Sequence, residues 1–196
     1  MTPPDLAQQL AFLREIDRLK SVIRQSPLLD RSRRENSAEH SWHLAMYALL
    51  LQDYAPASVD PARVIRMLLI HDIVEVDAGD TPMHAAVSSG PSQAELETQA
   101  ATRLFGMVPG EQGAEMLALW HEFENAASED AKFAKALDRV QPLLVNIHTN
   151  GGTWTENGVT LEQVLQRYGP TIERGSPSLW AYCEPLVRKH FSAPAP

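Results

Sequence analysis

Residues 60–75 read DPARVIRMLLIHDIVE, and this stretch decides the fold. Asp60 is a good N-cap, and Pro61 suits the first helical position because the N–H it lacks would be unbonded there anyway. Val64, Ile65, Leu68 and Leu69 then recur at the three- and four-residue spacing of a helix with one apolar face. This helix carries His71 and Asp72 towards its C-terminal end, and Gly79 and Pro82 mark its exit. No segment sustains a period-two alternation, so the expectation is an all-α chain.

Working outward, Thr2 with Asp5 and the early prolines signal a first helix. Leu6, Leu10, Leu13, Ile16, Leu19 and Ile23 predict one buried stripe along it, with Arg24 on the same helix and Pro27 ending it. A polar connection over 30–36 leads to Ser37, read as the N-cap of a helix reaching about Tyr54. Residues 80–91 hold glycine, prolines and serines, a candidate mobile loop beside a site. Ser92 with Glu95 opens a further helix that Gly106 stops, and Met116, Leu117, Trp120 and Phe123 pattern another. Ser128 opens a helix through Asp138, with a kink expected at Pro142. Asn150-Gly151-Gly152 is a turn, Thr160 with Gln163 is a capping box, and Ser178 begins a terminal helix before a frayed tail. There is no internal repeat and no linker, so residues 1–196 read as a single-domain helical bundle.

Bulk properties narrow the function. The chain has 196 residues, 44% of them hydrophobic, enough for a real core. A net charge of −8 repels polyphosphate backbones, so a nucleic-acid polymer is not an expected partner, whereas a small phosphorylated substrate needs only a local positive site. Cys183 is the only cysteine, which excludes an intramolecular disulfide and a cysteine-based zinc site. The N-terminus lacks a basic region followed by an apolar run, and Leu44–Leu51 is far too short to span a bilayer. The expectation is a cytoplasmic protein without a membrane partner.

A His-Asp pair alone means little, since chance supplies about a third of one in a chain of this composition. Its context matters more. His71 and Glu75 lie one helical turn apart, with Asp72 between them, at the end of a strongly apolar helix. Burying carboxylates there is costly unless a cation or hydrogen-bond donors neutralise them. From this segment alone, a helix end whose polar residues face water reads equally well. Two further residues favour the cation. His40 falls in the first turn of an amphipathic helix, and Asp138 lies mid-helix between apolar residues. His40, His71, Asp72 and Asp138 together give two imidazoles and two carboxylates from three helices. That set suits an open octahedral site for Mn²⁺, Co²⁺, Mg²⁺ or Fe²⁺ and does not single out Zn²⁺.

These pieces resemble the HD-domain phosphohydrolase superfamily, closest to its 5′-deoxynucleotidase branch. The matching elements are Arg24, Glu35-Asn36-Ser37-Ala38-Glu39-His40-Ser41, His71-Asp72-Ile73-Val74-Glu75, Gly79-Asp80-Thr81, Leu119-Trp120 with Glu122 and Glu124, and Lys135 to Asp138. They run in the family's order over about residues 19–145. The resemblance implies an HD-type bundle in which His40, His71, Asp72 and Asp138 hold the metal, Glu75 and Asp80 serve catalysis, and Arg24 meets phosphate. It implies hydrolysis of (deoxy)nucleoside 5′-monophosphates by metal-activated water. One departure stands out. The branch has a tryptophan after the arginine that helps exclude ribonucleotides, whereas here Gln25-Ser26-Pro27 follow Arg24.

Other residues carry less. His43 reads as packed, or as supporting a ligand, and His84 as an exposed loop residue; His121, His148 and His190 read as structural. Trp42, Trp120, Trp154 and Trp180 suit a core or an interface. Arg31, Arg33 and Arg34 read as a solvated run paired with Asp30 and Glu35, or as phosphate contacts. Lys135 either pairs with a site carboxylate or binds the substrate phosphate. The alternatives to a phosphomonoesterase are a phosphodiesterase, a nucleoside-triphosphate-type hydrolase, and a non-catalytic metal-containing nucleotide-binding module. The number of apolar helices points to a homodimer.

Overall fold

The computed structural model describes residues 3–81 and 91–192. The candidate loop over 80–91 therefore falls largely outside the described residues, as do His84, Pro82, Thr2 and the last four residues. Among the described residues ten α-helices run in chain order: α1 (Pro3–Ile16), α2 (Ser37–Leu51), α3 (Pro61–Ile70), α4 (Glu75–Ala78), α5 (Gln93–Phe105), α6 (Gly110–Asn125), α7 (Glu129–His148), α8 (Gly152–Glu156), α9 (Leu161–Gly175) and α10 (Pro177–Ser192). The expected all-α architecture holds, with one two-stranded antiparallel exception: β1 (Ile23–Pro27) and β2 (Arg34–Asn36).

The capping chemistry lies close to where the residue types put it. Asp60 accepts from the Ala62 N–H to start α3, and Ser92 and Thr160 form full capping boxes at α5 and α9. At α2 the cap is Asn36, not the expected Ser37. Asn36 Oδ1 accepts from the Glu39 N–H at 3.0 Å while Glu39 Oε1 accepts from the Asn36 N–H at 2.7 Å. That frees Ser37 to turn inward. Helix α7 continues through Pro142, whose missing N–H leaves the Asp138 carbonyl without its usual helical donor.

The first segment departs from expectation. Helix α1 stops at Ile16, a 3₁₀ turn spans Asp17–Ser21, and the chain then extends into β1, so Arg24 stands on a strand. The predicted buried stripe is also outside: Leu6, Leu10 and Leu13 are 52%, 52% and 57% exposed, while Phe12 and Leu19 make the core contacts. Consecutive β-branched Val22 and Ile23 favour extension. Pairing with β2 then satisfies backbone groups that a longer helix would have bonded internally.

Two apolar clusters divide the interior. The larger joins α2, α3, α7, α9 and α10 through Leu44, Met67, Leu68, Leu137, Leu143, Val164, Ile172 and Val187. The smaller joins α1, α5 and α6 through Phe12, Leu104, Phe105 and Trp120, and includes Ile73 and Val74. A 3₁₀ turn, His71–Val74, crosses between them and continues as α4 until Gly79, whose φ of 72° ends it. This crossing positions the site.

Candidate metal centre

His40 on α2, and His71 and Asp72 in the 3₁₀ turn, each present one ligand atom within 4.8 Å of the others, and all three residues are buried. Asp138 comes in from α7, with Oδ1 3.2 Å from His40 Nε2 and 3.7 Å from His71 Nε2. The four residues chosen from the sequence thus converge in space.

Their protonation explains why the cluster suits a cation. His71 Nδ1 lies 2.8 Å from the Leu68 carbonyl oxygen, which can only accept, so Nδ1 carries the ring proton. In a neutral ring the Nε2 lone pair then faces Asp72 Oδ1 at 2.9 Å and Asp138 Oδ1 at 3.7 Å. Acceptors facing one another in a buried space repel unless a second proton or a metal ion sits among them. His71 Nε2 is buried without a directed hydrogen bond, which suits it to metal ligation. Burial alone would lower the His71 pKa, but the Asp72 and Asp138 carboxylates outweigh it and raise it to about 10. Asp138 is held well below the usual carboxylate range: Arg139 and the two imidazoles overcome the cost of its burial. These donors fit a divalent cation.

A second tier surrounds the cluster. Arg24 Nη1 lies 2.9 Å from Asp72 Oδ2, 3.3 Å from Asp80 Oδ1 and 3.5 Å from Glu75 Oε1, so one guanidinium nitrogen faces three carboxyl groups. Burial would lower its pKa, yet the surrounding acids push it above its usual value. Burial, aided by the charge of Asp72, raises Glu75 to about 9 against the pull of Arg24. Burial likewise raises Asp80, with Arg24 opposing it.

Beside these groups opens a cavity of about 160 Å³ lined by Arg24, Asp80, Asp138 and Arg139, with Gln25, Asn146, Thr153 and Asn157 adding hydrogen-bonding walls. Lys135 is not among its lining residues. It bonds Glu124 at 2.9 Å and sits 4.0 Å above the Phe123 ring, whose edge packs on His71. His43 is not in the ligand cluster; its ring stacks on Trp42 and meets Tyr47 edge-on. The arginine run is solvated, though with other partners than expected: Arg33 pairs with Glu39 and Arg34 with Glu156.

Three residues of the second tier escaped the sequence reading. Glu35, expected among surface charges, is 4% exposed and reaches His40 Nδ1. Ser37 donates to Glu75, and Gln141 donates to Glu35. Gln141 lies three residues after Asp138, one helical turn along the same face, and that spacing was a usable signal.

A family model described as HD domain matches residues 16–180. The 5′-deoxynucleotidase HDDC2 of Mus musculus is 30% identical over 138 residues, covering 69% of this chain and 66% of the relative. Its Homo sapiens counterpart is 29% identical, with 69% and 65% covered, so the chain spans just under two thirds of these relatives' length. The crystal structure of a predicted metal-dependent phosphohydrolase from Magnetospirillum magnetotacticum MS-1 superposes with a TM-score of 0.88 at 53% identity, covering 94% of each chain. A conserved hypothetical protein from Pyrococcus furiosus, at 19% identity and a TM-score of 0.61, covers 94% of this chain and 99% of its own and shares the fold. With its His-Asp turn set between two helical clusters and a second histidine and aspartate brought in from α2 and α7, the chain belongs to the HD-domain family.

Proposed function

We propose that this protein is a metal-dependent phosphohydrolase acting on (deoxy)nucleoside 5′-monophosphates, with the metal held by His40, His71, Asp72 and Asp138. The observation that carries this reading is the buried convergence of these four side chains, with the His71 Nε2 lone pair turned on two carboxylates. The names of the relatives support the substrate class, and the fit of the donors supports Mn²⁺, Co²⁺, Mg²⁺ or Fe²⁺. When bound, the divalent ion supplies Lewis acidity, lowering the pKa of water and polarising a phosphoryl oxygen, and its charge favours ionised Glu75.

The protein's own groups do the rest. Glu75, oriented by the Ser37 hydroxyl, accepts the proton of the attacking water. Asp80, at the cavity wall, positions that water or the sugar. Arg24 presents its planar fork to the phosphate, exchanging a carboxylate partner for phosphoryl oxygens. Lys135, over the Phe123 ring and paired with Glu124, is the second proposed substrate cation. The amides and hydroxyls of Gln25, Thr153 and Asn157 suit a hydroxylated sugar better than an apolar group.

The same proposal places the protein in the cytoplasm; among the described residues no helix is long and apolar enough to cross a membrane. It also includes a homodimer, supported by the exposed apolar residues Trp42, Leu49 and Leu50 on α2. The test is phosphate release in Mn²⁺ or Co²⁺ from a panel of nucleoside 5′-monophosphates, nucleoside triphosphates and phosphodiesters. The expected result is turnover of the monophosphates. Hydrolysis confined to the triphosphates or diesters would move the proposal to another reaction.

A further inference from the structure

We propose that Glu35 is a positioning residue for the metal centre, taking the Nδ1 proton of His40 so that the opposite nitrogen is free to bind a divalent cation. This rests on the metal-dependent reading above. His40 is wholly buried, and each ring nitrogen faces a carboxylate: Nδ1 lies 3.2 Å from Glu35 Oε2, and Nε2 lies 3.2 Å from Asp138 Oδ1. A neutral imidazole carries one proton. Nε2 faces the cluster, so ligation there requires the proton on Nδ1, buried and in need of an acceptor. Glu35 Oε2 stands at that place. His40 Nδ1 and Glu35 Oε2 are both buried without a directed hydrogen bond, while Nε2 meets Asp138. The two orphaned atoms become partners when the proton moves from one side of the ring to the other.

Glu35 is itself held. Gln141 Nε2 donates to its other oxygen at 2.9 Å. Gln141 follows Asp138 by one turn of α7, so a single helix face supplies one ligand directly and steadies a second through Gln141 and Glu35. A carboxylate on the far side of a ligating histidine fixes the tautomer and raises the basicity of the ligating nitrogen. Glu35 Oε2 is also 3.6 Å from Arg24 Nε, so the plain alternative is a counter-charge for Arg24 with no part in ligation.

The experiment separates the two. The full chain, stripped of metal, is titrated with Mn²⁺ as wild type, Glu35→Gln and Glu35→Asp. The glutamine offers one amide oxygen to two donors, His40 Nδ1–H and Gln141 Nε2–H, so the Kd for Mn²⁺ should rise ~10–100-fold. Turnover should recover largely at saturating Mn²⁺, and Glu35→Asp should regain part of the affinity. In ¹⁵N-imidazole spectra of the Mg²⁺-loaded wild type, His40 should carry its proton on Nδ1. A wild-type Mn²⁺ Kd in Glu35→Gln, or a proton on Nε2 in the loaded protein, would overturn the proposal. If Glu35→Gln does not fold, the wild-type spectrum and Glu35→Asp decide the matter. A wild type that binds no Mn²⁺ overturns the functional reading first, and that outcome is distinct.

Discussion

The turn from His71 to Glu75 and strand β1 bring opposite charges into the same buried space, and they choose their inward faces differently. In the turn, apolar and ionisable residues are all buried. Ile73 and Val74 feed the smaller core while His71, Asp72 and Glu75 belong to the site. In β1, Ile23 is 59% exposed and the charged Arg24, with a side chain only 14% exposed, points inward. Hydrophobicity would have chosen the other face. Four carboxyl groups, those of Glu35, Asp72, Glu75 and Asp80, lie within 3.6 Å of the Arg24 guanidinium, and the pull of the acids around it outweighs the cost of burying it. The contrast teaches that near a charged centre the electrostatic partner, not the apolar residue, sets which side of a strand is inside.

The largest expected effect breaks the turn's chemistry without its packing. Glu75→Gln keeps the shape and removes the proton acceptor, so turnover should fall ~10²–10⁴-fold while bound metal is retained. Metal analysis beside steady-state kinetics checks this, and loss of the metal would make Glu75 a ligand instead. On the strand side, Arg24→Met leaves the carboxylates unpaired and should destabilise the chelator-treated protein by ~3–5 kcal/mol in urea unfolding, with recovery in Mn²⁺. An unchanged stability in chelator would show that the carboxylates are already neutral.

Alkaline pH sharpens the same point. His71 is raised to about 10 and Glu75 to about 9, so both bind their protons more tightly folded than unfolded. The stability each contributes is full below its unfolded pKa, near 6.5 and 4.5, and is lost as pH rises through the folded values. The melting temperature of the metal-free protein should therefore fall between pH 7 and 10, and Mn²⁺ should flatten that fall by taking the proton's place. Equal slopes with and without metal would contradict this. The smallest effect belongs to the outward face: Ile23→Ser should change stability by under ~0.5 kcal/mol, and a larger loss in thermal melts would mean that Ile23 is covered in solution.

Much of this was legible in advance. Helices α3, α5, α7 and α9 follow from spacing and caps, because each has one apolar face and a side chain able to bond its free N–H groups. His40, His71, Asp72 and Asp138 stood out as ionisable groups set into apolar helices. The strand under Arg24 and three residues of the second tier were not legible, for one physical reason. Glu35, Ser37 and Gln141, like the inward face of β1, are buried by partners distant in sequence, so their local pattern looks like ordinary surface. The α1 stripe misled in the opposite sense: Leu6, Leu10 and Leu13 have helical spacing, yet the contact runs through Phe12 and Leu19.

The central claim is that the four converging side chains hold a metal ion on which hydrolysis depends. The direct test is to strip the full chain with chelator, measure its residual metal, and follow phosphate release from dAMP and AMP before and after adding Mn²⁺ or Co²⁺. The account predicts that activity disappears with the metal and returns at about one bound ion or more per chain. Full activity in a preparation shown to be metal-free would contradict it.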